Sequence, residues 1–167
     1  MFGGILMDPI LKNLIRVGIV SSINPAKCTA RVAFEDRSSV VSFDLPILVR
    51  GSFQNKDYWM PDPGEQVVCL FLPSGNAQGF ILGSLYSEKD STPVTDGNKR
   101  HVAFSDGTKI EYDRETHTLT IDAAGPVNIV AADNINVIGD VVADGISLKT
   151  HTHSTPAGNT SPPLGGA

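Results

Sequence analysis

Residues 118–137 read TLTIDAAGPVNIVAADNINV, and the fold of the C-terminal part turns on them. Apolar and polar residues alternate in Thr118-Leu119-Thr120-Ile121-Asp122, in Val127-Asn128-Ile129 and in Ile135-Asn136-Val137, the period of a strand with one apolar face. Leu119, Val127 and Ile135 stand eight residues apart, as do Ile121, Ile129 and Val137, with Gly125-Pro126 and Asp133-Asn134 as punctuation. This is an internal repeat of eight. Once a turn is taken out, each repeat leaves a strand of about five residues, roughly 17 Å long. One such strand per repeat cannot enclose a core, because a single-chain β-helix needs several strands per rung.

Two arrangements satisfy the pattern. The strands can form an antiparallel meander whose apolar face covers something else, or three copies of the chain can wind about one axis, each supplying one face of a triangular prism. Asp113-Arg114-Glu115-Thr116 reads as a hairpin turn and favours the meander locally. The repeats after Gly125 favour the prism, since Asn128, Asp133, Asn134, Asn136, Asp140 and Asp144 keep one side polar while Val and Ile fill the other.

Upstream, residues 14–88 also read as all-β. Strand-like segments at Arg16 to Ile23 and Cys28 to Phe34 flank the turn former Asn24-Pro25-Ala26-Lys27, and further strands are expected at Ser39 to Asp44, Gln66 to Leu72 and Gln78 to Leu82. Pro61-Asp62-Pro63-Gly64 and Ser74-Gly75-Asn76 separate them. Five or so short strands with no long crossover helix suggest a small closed barrel of the OB type, with a small sandwich as the alternative. Residues 1–13 form an N-terminal arm in which Asp8 can cap a short helix beginning at Pro9, with Ile10, Leu11, Leu14 and Ile15 on one face. A polar linker is expected over 89–100, a shaft over 101–150 and a tip over 151–167.

Composition narrows the function. The hydrophobic fraction of 41% supplies a core, while the longest apolar run, Val67 to Leu72, is far short of the roughly 20 residues that a membrane-spanning helix needs. The first residues do not read as a secretory signal, because Asp8 and Pro9 interrupt the apolar stretch and no basic residue precedes it. Synthesis and folding in the cytoplasm are therefore expected. Cys28 and Cys69 are too few for a disulfide framework and read as buried free thiols. Residues 1–100 balance ten basic against ten acidic side chains, whereas residues 101–167 hold Lys109, Arg114 and Lys149 against eight carboxylates. Phosphate backbones should repel that half. An OB-fold nucleic-acid binder with an acidic tail would also want aromatic platforms interleaved with basic residues, yet Phe53, Tyr58 and Trp59 cluster beside just one lysine, Lys56.

An enzyme is not indicated. The chain has no Gly-x-Ser-x-Gly, His-Glu-x-x-His, Cys-x-x-Cys or phosphate-loop pattern, and neither His101 nor His117 has a visible nucleophile partner. Asp62 and Glu65 flank Pro63-Gly64 as turn carboxylates. The remaining chemistry lies at His151 and His153. In an extended chain residues i and i+2 face the same side, so both imidazoles can aim at one point. On one chain they are two surface histidines near a Pro- and Gly-rich tail. Three chains meeting on an axis would supply six nitrogen ligands, a set suited to an octahedral transition metal more than to tetrahedral zinc.

Several stretches carry a family resemblance. Arg16-Val17-Gly18-Ile19-Val20, Thr29-Ala30-Arg31-Val32-Ala33-Phe34, Pro63-Gly64-Glu65-Gln66-Val67 and Gly79-Phe80-Ile81-Leu82-Gly83-Ser84-Leu85-Tyr86 resemble the phage baseplate assembly protein V family, the central spikes of Mu-like contractile tails, related to pyocin and type VI secretion spike tips. The ending Thr150-His151-Thr152-His153 followed by Gly158-Asn159-Thr160-Ser161-Pro162-Pro163 is the most specific element. The resemblance implies a homotrimeric virion protein at the tail baseplate tip, with an OB-fold collar seated on a baseplate or tail-tube hub protein. It further implies a β-helical shaft and a point holding one iron ion per trimer through His151 and His153. Its role would be mechanical, piercing the bacterial outer membrane during host cell entry. A baseplate component that trimerises without piercing is the alternative within the same class.

Overall fold

A computed structural model describes residues 13–35, 40–73 and 78–163, and these are all-β. The expected N-terminal helix on Asp8 and Pro9, the turn at Ser74-Gly75-Asn76 and the last four residues lie outside the described residues. The chain divides into two compact units, residues 1–101 and 102–167.

The first unit is built on β1 (Ile15–Asn24), β2 (Thr29–Phe34), β3 (Val40–Val41), β4 (Leu45–Pro46), β5 (Gln66–Phe71) and β6 (Gly79–Ser84). Ile15, placed on a helix face by its spacing, instead opens β1 opposite Leu70. β1 is the centre of the sheet, antiparallel to β2 on one side and to β5 on the other, in the order β3-β2-β1-β5-β6 with β4 also on β2. The turn joining β1 to β2 runs one residue later than expected, because Cys28 adopts a left-handed conformation (φ 52°) and closes it. Of the strand expected over Ser39 to Asp44, only Val40–Val41 forms one among the described residues, as β3, and β4 starts just past its expected end, at Leu45. Ser42 lies in the break, accepting the Val32 N–H on its hydroxyl (3.0 Å) and donating its own N–H to the Val32 carbonyl (2.9 Å).

Period-two alternation sends Val20, Ala30, Val32, Phe34, Leu45, Val67, Cys69 and Ile81 into one core, each at most 2% exposed. Gly18 allows the strands to close on it: a Cβ there would meet the Ala33 carbonyl oxygen at 2.6 Å and the Phe34 ring at 2.8 Å. The Arg16 guanidinium lies 3.7 Å above the Phe34 ring, which meets Phe71 edge-on at 5.7 Å. Register shifts between Val20 and Ser22 and between Val68 and Cys69 bend the sheet. Beyond β4, Ile47 pairs in parallel with Ile81 of β6, and the Leu48 N–H donates to the Ile81 carbonyl at 2.9 Å. The chain just beyond β4 thus meets β6 through a single bridge; among the described residues no continuous ladder closes a barrel.

β7 (Lys99–Ala103), β8 (Lys109–Asp113) and β9 (Thr118–Asp122) form an antiparallel three-stranded meander. Lys99 and Arg100, expected in the linker, belong to β7, which follows a turn capped by Asp96: the Asn98 N–H donates to its carboxylate at 2.9 Å. Ile110 faces Ile121, and Tyr112 faces Leu119 across the β8–β9 pair. The expected hairpin at Asp113 is present, its carboxylate accepting the Glu115 N–H at 2.8 Å. The expected strands at 127–129 and 135–137, however, have no strand assignment, and among the described residues no ladder occurs between Asp122 and Val142. Extended backbone needs a neighbouring strand to satisfy its amides, and one chain supplies none here. β10 (Val142–Ala143) with β11 (Ile146–Ser147), then β12 (Ser154–Thr155) with β13 (Gly158–Asn159), are two small hairpins at the end. No helix among the described residues is long and apolar enough to cross a membrane.

Candidate functional site

Asp144 and Gly145 both take positive φ (49° and 81°), the backbone of a tight hairpin turn whose twist matches its strands. They reverse the chain between β10 and β11 and bring Asp140 beside Ser147: the Ser147 hydroxyl donates to Asp140 Oδ2 at 2.5 Å. Asp140 Oδ1 accepts the N–H of Val141 at 2.8 Å and of Lys149 at 3.2 Å. That hydroxyl contact, together with these amides and the Lys149 charge, holds the Asp140 carboxyl below its ordinary value. The Ser147 hydroxyl also accepts the N–H of Thr150 (3.0 Å) and Lys149 (3.2 Å). The Ser147 carbonyl then receives the His151 N–H at 3.1 Å and lies 2.9 Å from His151 Nδ1.

His153 is anchored to the second hairpin. Its N–H donates to the Thr160 hydroxyl and its carbonyl accepts the Thr160 N–H, both at 2.9 Å. Inside that hairpin the Thr155 hydroxyl donates to the Gly158 carbonyl at 2.6 Å. The two imidazoles therefore belong to different hairpins yet lie together, centroids 5.3 Å apart and planes at 89°. Two rings bound to one ion through nitrogens at about 2.1 Å hold their centroids roughly 4.5 to 6 Å apart, so the pair is compatible in spacing with a shared ligand. Among the described residues no group of three metal-ligating side chains occurs within the chain.

The other candidates have structural duties. Glu65 accepts the Asp62 N–H on Oε2 at 2.7 Å while its own N–H donates to the Asp62 carbonyl at 3.0 Å, a braced turn. His101 lies in β7, and His117, with φ 56°, lies in the β8–β9 turn. Cys69 is fully buried, its thiol pushed up to about 11 chiefly by loss of hydration, but Cys28 is only partly buried because it sits in the turn. The expectation of two buried thiols holds for Cys69 alone. Arg50 is paired with Asp57 at 2.7 Å, and both line a cavity with Trp59.

The repeat residues form the second feature. Leu119, Ile121, Val127, Ile129, Ile135 and Val137 are all more than half exposed in the single chain, and Val130 and Ile138 are almost wholly so. No residue from 102 to 163 is buried. Ser147 and Asp140 were not singled out by the sequence as site residues, since their part depends on a hairpin that folds them together seven residues apart.

The described residues are all-β and combine a self-contained sheet, an exposed apolar stripe and a pair of histidines near the end. No family model matches it. The chain is similar to a phage spike protein. Over 148 residues, 87% of this chain and 67% of the relative, it is 27% identical to the Spike protein of Escherichia phage P2.

Proposed function

We propose that this protein is the trimeric central spike of a contractile phage tail, a structural virion component that pierces the bacterial outer membrane when the sheath contracts. One observation carries the reading: among the described residues nothing covers the apolar stripe from Leu119 to Val137. Keeping a large apolar side chain in water forfeits about 1.5 to 3 kcal/mol. Three chains around an axis bury the stripe and give its unpaired extended backbone neighbours to bond with. The kinship with a phage spike protein supports the same assignment.

In this reading residues 14–88 are the collar that meets the baseplate or tail-tube hub, residues 101–150 the shaft and residues 151–167 the tip. The parallel bridge between Ile47 and Ile81 supports an OB-type collar, because it brings the chain beyond β4, which pairs with β2, onto β6 at the far edge of the sheet, the direction in which a barrel closes. At the tip His151 and His153 of three chains hold one iron ion, its six nitrogen ligands leaving no open position for substrate. The ion supplies directional bonds at the narrow end, where little apolar core remains. The role is mechanical.

Light scattering on the untagged protein, with elemental analysis of the same sample, tests the proposal. The expected result is a particle of three chains carrying one transition-metal ion. A folded monomer overturns the spike assignment, whereas a trimer free of transition metal overturns the tip alone.

A further inference from the structure

An imidazole can ligate through either nitrogen, and which one does so depends on where the other's proton is held. At His151 the backbone makes that choice. The Ser147 carbonyl can only accept, so at 2.9 Å from Nδ1 it keeps the proton of the neutral ring on Nδ1 and leaves the Nε2 lone pair for a ligand. Metal-bound histidines elsewhere show the same outer contact, which orients the ring and raises its basicity. Ser147 is itself fixed from three directions: by pairing with Val142 in the β10–β11 ladder, by its hydroxyl on Asp140, and by the Lys149 and Thr150 amides on that hydroxyl.

We propose that Ser147, braced by Asp140, is a positioning residue for metal ligation at the tip, selecting Nε2 of His151 as the donor and setting the ring's direction before an ion arrives. The inference rests on the reading of His151 and His153 as metal ligands. Its distinctive claim concerns the metal-free state: the ring is already in the ligating tautomer because a hairpin ending four residues earlier holds it there. The cost of ordering the side chain is thereby met during folding and not on binding.

Nitrogen-15 NMR of the metal-stripped full-length protein reads the tautomer, and titration with nickel(II) against a competing chelator reads the affinity. Wild type is expected to show His151 protonated on Nδ1. Ser147→Ala and Asp140→Asn should move the proton toward Nε2 and weaken nickel binding about 10- to 100-fold with both histidines intact. Ser147→Thr, which keeps the hydroxyl, should restore both readouts. Thr155→Ala loosens the neighbouring hairpin and should leave the His151 tautomer unchanged, separating positioning from general fraying. A wild-type His151 protonated on Nε2, or unaltered nickel affinity in both Ser147→Ala and Asp140→Asn, overturns the positioning role and leaves the metal tip standing. Wild-type protein that takes up no ion overturns both.

Discussion

The two units of this chain treat their apolar residues in opposite ways. In the first, Val32, Phe34, Val67 and Ile81 are sealed by strands of the same chain, and the sheet bends on two register shifts until Ile47 reaches Ile81. In the second, side chains of the same type at 119, 121, 127, 129, 135 and 137 stand in water. Hydrophobicity is therefore not what separates them. The difference is in the length of chain available to fold back: β1 and β5 are neighbours in space yet some forty residues apart in sequence, whereas an eight-residue repeat turns over too quickly to place a second layer on itself. In the proposed reading a unit of the first kind folds alone, and one of the second kind needs copies.

The sharpest way to break this contrast is Ile129→Asp. In a trimer it puts three carboxylates beside the axis, where like charge and lost hydration are both costly, so assembly of the shaft is expected to fail outright. Light scattering should show single chains, and circular dichroism should still show the β signal of the first unit. Phe34→Ala attacks the other side. Removing a fully buried ring typically costs about 3 to 5 kcal/mol, and here it also strips the Arg16 guanidinium of the face it lies on. Denaturant melting of the first unit should shift accordingly while the shaft still assembles; simultaneous loss of both would show that the two units are energetically one.

Truncation after Tyr86 sharpens the comparison further. All six strands of the first sheet precede that residue, so the fragment is expected to retain folded β structure and a cooperative transition. An unfolded fragment would mean that the first unit depends on the chain beyond Tyr86. The smallest effect is chemical. With its thiol raised to about 11 by burial, Cys69 should resist alkylation at pH 8 in the native protein, while Cys28, in its turn, reacts first. Mass spectrometry of partly labelled protein distinguishes them, and Cys69 labelling at the Cys28 rate would mean that the core opens readily.

Much of this was legible in local pattern. Period-two alternation located β1, β2, β5, β8 and β9 to within a residue or two, and turn chemistry located the hairpins at Pro25 and Asp113. The eight-residue repeat announced an apolar stripe, which stands exposed among the described residues, and the i, i+2 spacing put His151 and His153 within reach of each other. Each of these signals is carried by neighbours in sequence, and a strand's alternation is the same whatever it pairs with.

Tertiary structure decided what depends on distant partners. Alternation could not say that β3 would end before Ser42, because that break answers to Val32 on the adjacent strand. It marked 127–129 and 135–137 as strands without knowing that one chain offers them no ladder. Nor could it separate Cys28 from Cys69, whose burial differs because one closes a turn with a left-handed backbone and the other faces the core of a central strand. The Ser147 carbonyl on His151 is the clearest case: neither residue's identity implies the contact, which exists because the Asp144-Gly145 turn and the Asp140 carboxylate hold β11 in place. Composition and spacing set which residues could meet; the folded backbone, by satisfying its amides at particular distances, set which of them did.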